Sequence, residues 1–339
     1  MKFFITGGAG FIGSNCADHF LRQGHSVTIF DNMSRIGSQS NLNWLFAQHE
    51  SRQIEIIRAD VRDRQALEEA ILGAEVVLHL ASQVAVTSSI KDPREDFEIN
   101  ALGTFNVLEA VRQYCPDAPL IYSSTNKVYG GMEELRILEE DSRYRYADFP
   151  HGIAENYPLD FHSPYGCSKG AGDQYVRDYA RIYGLKTVTF RQSCIYGPRQ
   201  FGVEDQGWVA HFLIAAIMNR PINIYGDGKQ IRDLLHISDL IHAYEAGIDQ
   251  IDVLSGEVFN MGGGPENTLS IWCEFQPLLE SLTGHSIPVT RGPWRPGDQR
   301  VFVADIRKAN QLLNWQPMIS PIEGIAGLFH WIANNQDLF

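Results

Sequence analysis

Tyr165 and Lys169 are the residues whose types and spacing point most directly to chemistry. Ser163 and Pro164 precede them as an N-cap and a first-turn proline would, so the spacing predicts one shared face of a helix that ends at Gly184. A phenol titrates near pH 10, and a base for neutral pH needs a pKa about three units lower, roughly 4 kcal/mol in favour of phenolate. A neighbouring ammonium acts in that direction. The pair therefore predicts a base that deprotonates an alcohol; the alternative is a surface tyrosine and a solvated lysine on an amphipathic helix.

A second group of candidates lies at the end of a predicted strand, residues 120–123, where the sequence continues as STNKVYG. Hydroxyl groups at the carboxyl end of a parallel strand face the crevice in which ligands bind. We expect Thr125 to hydrogen-bond a substrate oxygen as that oxygen loses its proton. The alternative is that this Ser/Thr run only caps a turn.

The glycine-rich segment GGAGFIG, residues 7–13, stands between a predicted strand and a predicted helix. Glycines at such a turn let backbone amides approach a pyrophosphate, and the helix N-terminus stabilises its charge. Asp31 ends the second predicted strand, where a carboxylate binds a ribose 2′-hydroxyl and repels a 2′-phosphate, which favours NAD over NADP. Arg35, close by in sequence, keeps NADP open, and capping a turn with Asn32 is the other role open to Asp31.

Further cofactor candidates follow the third and fourth predicted strands, because ligands bind beyond the carboxyl ends of parallel strands. Asp60 and Val61 follow the third strand, where the adenine would lie, and Ala81 follows the fourth, near the ribose and pyrophosphate. The predicted cofactor-binding residues are Gly7, Gly10, Phe11, Ile12, Gly13, Asp31, Asn32, Ser34, Arg35, Asp60, Val61, Leu80, Ala81 and Gln83.

Short apolar runs alternate with helical stretches through the first two-thirds of the chain, which is typical of a Rossmann-type, doubly wound parallel α/β sheet. The predicted strands are residues 3–6, 27–30, 54–58, 76–80, 120–123, 187–190 and a returning 258–261. The predicted helices include 11–22, 64–72, 97–114 and 168–183. Because Gly and Pro become more frequent later, we expect an NAD-binding domain of 1–192, with 229–263 returning to it, and a smaller C-terminal α/β substrate-binding lobe of 193–228 and 264–339.

The composition excludes several classes of function. With 28 basic and 41 acidic residues the chain has a formal charge of −13, which argues against a nucleic-acid or anionic membrane surface, although local arginines can still hold a phosphate. No apolar run approaches the roughly 20 residues of a membrane helix, and the N-terminus lacks the apolar core of a signal peptide. The five cysteines form no metal-binding spacing, so we expect reduced thiols, no bound metal and a cytoplasmic location.

Over essentially the whole chain, these motifs resemble the extended short-chain dehydrogenase/reductase family. GGAGFIG, Asp31, SSTNKVYG, YGCSK, IYGPRQ, GDGKQIRDLLH and RPGDQR occur in the order that nucleotide-sugar epimerases and dehydratases show. The resemblance implies a tightly held NAD, a nucleotide-sugar substrate, and Thr125, Tyr165 and Lys169 as a catalytic triad. It also implies that Asn100 is a structural asparagine, and that Asn100, Tyr165 and Lys169 contribute to the cofactor site.

One departure from the family narrows the reaction. The 4,6-dehydratases carry an Asp-Glu pair after the catalytic threonine to drive loss of water, whereas this chain has Asn126 and Lys127. Epimerisation, which needs only reversible oxidation at one carbon, remains open. Residues 159–175, 199–209 and 298–306 resemble the epimerases that invert C2 of a CDP-linked dideoxyhexose more closely than those that act at C4 of a UDP-sugar.

The same resemblance indicates the substrate-binding residues. Arg232 and Arg295 match phosphate-binding positions, which suits the forked guanidinium, and Arg300 is a further candidate. The alternative for these arginines is surface ion pairing with Asp233 or Asp298. The implied substrate-binding set is Thr125, Asn126, Gln206, Arg232, Arg295 and Arg300, and His162 either lines the sugar site or has a structural role beside a helix start.

Three other functions remain open. They are a UDP-hexose 4-epimerase, which shares every proposed catalytic residue, a non-catalytic NAD-binding regulatory protein, and an NAD-dependent reductase that releases its cofactor. The intact triad argues against the regulatory protein, since a sensor needs only a dinucleotide site. The family resemblance also implies a homo-oligomer, a dimer or tetramer, assembled through helices 97–114 and 168–183.

Overall fold

The computed structural model describes residues 1–295 and 298–339, which form two compact units. The first unit contains Met1–Val128, Ser163–Arg191 and Ile241–Phe259. The second contains Tyr129–His162, Gln192–Leu240 and the described part of Asn260–Phe339.

A seven-stranded sheet forms the centre of the first unit. Its strands are β1 (Lys2–Thr6), β2 (Ser26–Phe30), β3 (Ile54–Ile57), β4 (Val76–His79), β5 (Leu120–Thr125), β6 (Thr187–Gln192) and β7 (Glu257–Met261). Their order is β7-β6-β5-β4-β1-β2-β3, and β1 pairs in parallel with both β2 and β4. The order reverses between β1 and β4, as in Rossmann folds. This confirms the predicted Rossmann-type sheet, with each strand differing from its predicted bounds by one or two residues.

These strands form because their residues are apolar at successive positions, which suits a sheet covered on both faces. Phe3, Phe4 and Ile5 of β1 are fully buried, as are Val77 and Leu78 of β4. One side of the sheet packs on an apolar cluster that includes Phe4, Phe30, Leu67, Val77, Val107, Leu108, Val111, Leu120 and Val176.

Helices connect these strands. They are α1 (Phe11–Arg22), α2 (Ser38–Gln48), α3 (Arg64–Ala70), α4 (Val86–Lys91), α5 (Pro93–Phe97), α6 (Gly103–Tyr114), α7 (Ser163–Tyr183), α8 (Ile237–Asp249) and α9 (Ile251–Leu254), with 3-10 turns at Ser51–Gln53 and Asn126–Tyr129. The predicted helical stretch over 97–114 is confirmed, and a π-helical turn, Glu98–Leu102, lies within it between α5 and α6. The helical stretch also begins earlier, at Pro93, where Asp92 caps the N–H of Glu95 at 3.0 Å.

The second unit is a smaller α/β lobe built on a four-stranded sheet. Strand Ile231–His236 pairs in parallel with Cys194–Tyr196 and Val301–Phe302 and antiparallel with Thr268–Ser270. Two two-stranded sheets, Ile222–Tyr225 with Val289–Gly292 and Ile137–Glu139 with Tyr144–Tyr146, accompany it. The helices of this lobe are Trp208–Ile217, Phe275–Thr283, Arg307–Leu313 and Pro321–Ala333, with a 3-10 turn at Gln336–Leu338.

Two segments lie outside the units to which the sequence assigned them. Residues 129–162 belong to the second unit, and the chain re-enters the first at Ile241, later than residue 229. Side-chain and backbone contacts explain the first difference, since the Tyr146 hydroxyl donates to the Val301 carbonyl at 2.8 Å and Ile153 bridges Ala304. Strand Ile231–His236 explains the second, because it is the common partner in the sheet of the lobe.

Within residues 1–295 and 298–339, none of the helices combines the length and the apolar character that crossing a membrane requires. All five cysteines are free thiols.

Candidate active site

Helix α7 begins at the predicted cap and ends at the predicted glycine. The Oγ of Ser163 accepts the N–H of Gly166 at 3.2 Å, and Gly184 follows the helix with φ of +71°. Tyr165 and Lys169 therefore lie one turn apart on one face of the helix. Their exposed fractions are 9% and 3%, so the alternative of a surface tyrosine and a solvated lysine is wrong.

Lys169 is held by the end of strand β5. Its Nζ donates to the carbonyl of Ser123 at 2.6 Å and lies 4.4 Å from the centroid of the Tyr122 ring. Burial lowers the pKa of Lys169 to about 7, while the carboxylates of Asp173 and Asp96 act in the opposite direction. The charge state of this lysine is therefore set by a balance between desolvation and two buried acids.

Tyr165 forms a side-chain hydrogen bond with Thr125. Burial raises the pKa of Tyr165 to about 12, although the hydrogen bond from Thr125 lowers it, and the charge of Asp96 raises it further. This differs from the expected depression of the phenol pKa, because in the protein alone desolvation of the phenolate outweighs the favourable contacts. In the protein alone, burial therefore favours the neutral phenol.

Asn100 joins the loop after β4 to α7. Its Oδ1 accepts the N–H of Gln83 at 2.9 Å and the hydroxyl of Ser82 at 2.8 Å. Its Nδ2 lies 3.1 Å from Asp96 Oδ1 and 3.2 Å from the Oγ of Ser168. Asn100 itself stands in the π-helical turn, which opens the helix at the residue that makes these contacts.

The glycine turn, residues 7–13, brings three backbone segments into close approach. A Cβ on Gly13 would lie 2.3 Å from the carbonyl oxygen of Gly7, and a Cβ on Gly7 would lie 2.7 Å from the amide nitrogen of Ala81. Helix α1 has no side-chain cap and no acidic residue in its first turn. No side chain caps its N-terminal amides at Gly10, Phe11 and the following residues, and such amides suit an anionic group.

Asp31 is buried at the end of β2 and holds two backbone turns. Its Oδ2 accepts the N–H of Ala9 at 3.0 Å, and its Oδ1 accepts the N–H of Met33 at 2.8 Å. The turn-capping role considered as an alternative is therefore present. A carboxylate has about four acceptor positions, so this role is compatible with binding a ribose hydroxyl. Burial raises the pKa of Asp31, and the two amides oppose that effect.

The candidates after β2 and β3 form a polar group at the surface. Asn32 Nδ2 donates to Asp60 at 2.7 Å, and Asn32 Oδ1 accepts the N–H of Ser34 at 3.0 Å. Arg62 donates to Asp60 at 2.8 Å and lowers the pKa of that carboxyl to about 2. Arg35 is exposed.

The side chain of Val61, by contrast, packs in the apolar core, 4% exposed, and its carbonyl accepts the Nδ2 of Asn106 at 3.0 Å. Its contribution to a ligand site is limited to its backbone.

The candidates after β4 are positioned by residues that the sequence did not single out. The amides of Leu80 and Ala81 both donate to the Thr6 hydroxyl at 3.2 Å. The Gln83 side chain donates to Asp96 at 3.0 Å, so Gln83 serves the network around Asn100. Asp173 was not identified as a site residue from the sequence, although the sequence held a signal for it. Asp173 follows Lys169 by four residues, just as Lys169 follows Tyr165.

The proposed phosphate-binding arginines lie in the second unit and have acidic partners. Arg232 Nη2 donates to Asp298 at 2.7 Å, which is one of the ion pairs considered as an alternative. Arg295 instead pairs with Glu204 at 3.2 Å and Asp205 at 3.4 Å.

Arg295 also lies 3.9 Å from the centre of the Tyr225 ring, and the exposed Arg300 lies 5.5 Å from that of Trp294. Gln206 exchanges backbone hydrogen bonds with Val203 at 2.9 Å, and His162 is exposed. Pro296 and Gly297 of the RPGDQR motif lie outside the described residues.

Comparison with known proteins places this geometry in a family. The family model described as GDP-mannose 4,6 dehydratase matches residues 4–327. A CDP-paratose 2-epimerase from Salmonella typhi is 46% identical, with 98% of this chain and 100% of that protein covered.

Two solved structures share the fold. The UDP-glucose 4-epimerase of Thermotoga maritima, determined with UDP-glucose, has a TM-score of 0.84 and 28% identity over 99% of this chain and 100% of that one. The Thermus thermophilus UDP-glucose 4-epimerase, in complex with NAD, has a TM-score of 0.82 and 30% identity over 99% and 100%. The chain therefore belongs to the GDP-mannose 4,6 dehydratase family, among the nucleotide-sugar epimerases and dehydratases of the extended short-chain dehydrogenase/reductases.

Proposed function

We propose that this protein is an NAD-dependent epimerase that inverts C2 of a CDP-linked dideoxyhexose, converting CDP-paratose to CDP-tyvelose through a transient 2-keto sugar. The observation that carries the proposal is the buried set of Thr125, Tyr165 and Lys169 at one strand end, in a chain 46% identical to a CDP-paratose 2-epimerase over 98% of its length. The cytoplasmic location stays a prediction.

The residues at the glycine turn fit NAD. Gly7 and Gly13 leave room that a Cβ would fill, and the uncapped first turn of α1 suits a pyrophosphate. Asp31 at the end of β2 suits a ribose 2′-hydroxyl and opposes a 2′-phosphate. The Thermus relative, solved with NAD, supports this assignment.

Tyr165, held by Thr125, is the proposed base that removes the proton of the 2-hydroxyl and returns it after the sugar has presented its other face. Bound NAD supplies the acceptor and later the donor of the C2 hydride, and its oxidised ring adds the positive charge that favours phenolate. Lys169 stabilises the phenolate as an ammonium anchored on the Ser123 carbonyl. Thr125 orients the oxygen that loses its proton.

The residues after Thr125 favour epimerisation over loss of water. Asn126 and Lys127 stand where the family's dehydratases carry an acid pair, and neither side chain is a carboxyl group. The Lys127 amide donates to Thr125 Oγ1 at 3.2 Å, so this turn positions the threonine. A C2 epimerisation needs no proton transfer at a neighbouring carbon, which agrees with this set of groups.

For the nucleotide end of the substrate we propose Arg232, Arg295 and Arg300 as contacts of the diphosphate, with Asn126 and Gln206 as further substrate contacts. The side chains of Arg232 and Arg295 are 8% and 30% exposed, and their acidic partners orient both guanidinium groups. The Thermotoga relative, solved with UDP-glucose, supports a nucleotide sugar as ligand, and the preference for CDP rests on the Salmonella relative.

A label experiment tests the reaction. With CDP-paratose deuterated at C2, we expect the label to remain at C2 of the CDP-tyvelose product, because the hydride returns to the carbon it left. NMR and mass spectrometry of the product measure how much deuterium is retained. The absorbance of released NADH tests for net reduction of NAD. Exchange of the label with solvent would contradict hydride return. Turnover of UDP-hexoses labelled at C4, with CDP-sugars untouched, would identify the 4-epimerase alternative.

We further propose that the protein is a homo-oligomer assembled through α6 and α7. The first unit exposes large apolar side chains on and beside these helices, and Phe105 and Tyr175 contact each other with ring centroids 6.0 Å apart. The exposed set is Phe97, Leu102, Phe105, Tyr114, Tyr175, Ile182 and Tyr183. An exposed apolar patch of this kind marks an interaction surface.

Replacing Phe105 with Asp should convert the oligomer to monomers, because a charge would be buried without a partner in the interface. Light scattering after gel filtration measures the change. Val253, 79% exposed on α9, offers the matched control, and Val253→Asp should leave the mass unchanged. An unaltered assembly of the Phe105 variant would place the interface elsewhere.

A further inference from the structure

Asp173 lies on the same face of α7 as Tyr165 and Lys169, one turn beyond the lysine. It is fully buried, and the Oγ of Ser124 donates to its Oδ2 at 2.7 Å. The two neighbours of Ser124 in β5 are the residues that bind the lysine and the tyrosine. Three consecutive strand residues therefore hold three helix residues, and Asp173 is the third of these contacts.

The carboxylate of Asp173 also receives a buried arginine. Arg191 Nε lies 2.9 Å from Oδ2 and Arg191 Nη2 lies 2.9 Å from Oδ1, and the two side chains are 2% and 0% exposed. Gln174 Nε2 adds a fourth hydrogen bond at 2.8 Å. Replacing a buried ion pair with well-packed apolar residues is often neutral or even stabilising for a fold. The stability of the fold is therefore a weak explanation for a buried Asp173–Arg191 pair. The remaining explanation is the effect of the Asp173 charge on the neighbouring Lys169.

The electrostatics around Lys169 show what Asp173 contributes. Its negative charge is the first of the effects that oppose the lowering of the Lys169 pKa by burial. His79 is kept neutral, since burial and the charge of Lys169 lower its pKa to about 3. The titratable groups near Lys169 include Asp173 on α7, Asp96 on α5, His79 on β4 and Tyr122 on β5. Tyr165 shares its face of α7, and Arg191 on β6 binds Asp173.

We propose that Asp173 is a positioning residue of the epimerase. It fixes α7 against the end of β5 through Ser124 and against β6 through Arg191. Its carboxylate keeps Lys169 an ammonium while Tyr165 loses its proton. This inference rests on the proposed function and deepens it.

Asp173→Asn, made in the NAD-containing protein, tests the proposal. Asparagine keeps the shape of the side chain and an acceptor for Ser124 but removes the charge. Without the carboxylate the Lys169 ammonium loses its proton at lower pH, so we expect the alkaline limb of the kcat profile to move down by about one pH unit. We expect kcat near neutral pH to fall about tenfold, with KM nearly unchanged. Asp173→Glu should restore the limb.

Two further variants separate charge from packing. Asp173→Asn leaves Arg191 buried without its ion partner, so Asp173→Asn/Arg191→Met provides a second variant whose fold is checked by thermal unfolding and NAD content. Ser124→Ala removes one hydrogen bond and keeps the charge, so its kcat profile should keep the wild-type alkaline limb. The double variant is compared with Arg191→Met alone, because the two differ only in the charge of residue 173. The same alkaline limb in these two variants would overturn the proposal, as would a Ser124→Ala variant that shifts the wild-type limb.

A measurement without substrate distinguishes failure of this inference from failure of the proposed function. NMR of isotope-labelled lysine, assigned through Lys169→Met, follows the Lys169 ammonium directly. We expect its titration to move to lower pH in Asp173→Asn even if no epimerase activity is found. An unmoved titration would overturn the role of Asp173 while leaving wild-type epimerisation of CDP-paratose, and hence the proposed function, intact.

Discussion

Tyr165→Phe should reduce turnover about a thousandfold or more while leaving NAD bound, because the substitution removes the proposed base and keeps the ring. The ring is 9% exposed and the hydroxyl is hydrogen-bonded to Thr125, so phenylalanine leaves the packing of α7 nearly unchanged. Product formation from CDP-paratose measures the loss, and the absorbance spectrum of the purified variant measures the retained cofactor.

Tyr179→Phe is the matched control for this experiment. Tyr179 lies on the same helix, is 5% exposed and donates its hydroxyl to Glu109 at 2.8 Å. It should keep wild-type turnover. Appreciable turnover by Tyr165→Phe would show that the phenol is not the base. If the protein were instead an NAD-binding regulator without catalysis, its output would not change when this hydroxyl is lost.

The elements of the first unit were predictable because their signals are local. The strands of the central sheet are apolar at successive positions, and a sheet covered on both faces requires that pattern. Helix α1 begins and ends at its predicted residues, Phe11 and Arg22. Ser163 and Gly184 bound α7 as caps, for which the chemistry is contained in a few neighbouring residues.

The positions of connecting segments were not predictable in the same way. Residues 129–162 join the second unit through contacts with residues far along the chain, such as the hydrogen bond between Tyr146 and Val301. The π-helical turn contains Asn100, whose side chain contacts Gln83 and Ser168 far from it in sequence. Neither feature leaves a periodic pattern in the local sequence. The prediction from composition therefore began the second lobe at residue 193, whereas the second unit already includes Tyr129–His162.

The same distinction applies to the candidate site. The spacing of Tyr165 and Lys169 predicted their shared face, since helix geometry relates them directly. Their pKa values depend instead on burial and on Asp96, which lies on another helix, and burial raises the phenol pKa where the isolated pair suggested a depression. The partners of Arg295, Glu204 and Asp205, are likewise set by tertiary packing.

Gly13→Ala should weaken the binding of NAD about ten- to a hundredfold. The new Cβ would lie 2.3 Å from the Gly7 oxygen and 2.6 Å from the Gly8 Cα, and both are backbone atoms. The turn has little freedom to move, because the Gly7 N–H donates to Phe30 at 2.8 Å and the Gly10 N–H donates to Gly7 at 3.1 Å. Overpacking of this kind costs about 1–3 kcal/mol, which is roughly ten- to a hundredfold in affinity if it falls on the cofactor site.

Calorimetric titration of the cofactor-free protein with NAD measures the loss, and the gain in melting temperature on adding NAD gives an independent value, since a ligand that binds only the folded state stabilises it. Gly327→Ala is the control. Gly327 lies in helix Pro321–Ala333 with nothing near the position of a Cβ, so alanine should leave NAD affinity unchanged and add slightly to stability. If Gly13→Ala bound NAD as tightly as the wild type, the pyrophosphate would not be held by the close backbone approach at residues 7–13. The hydride acceptor of the reaction proposed for Tyr165 would then have to bind elsewhere.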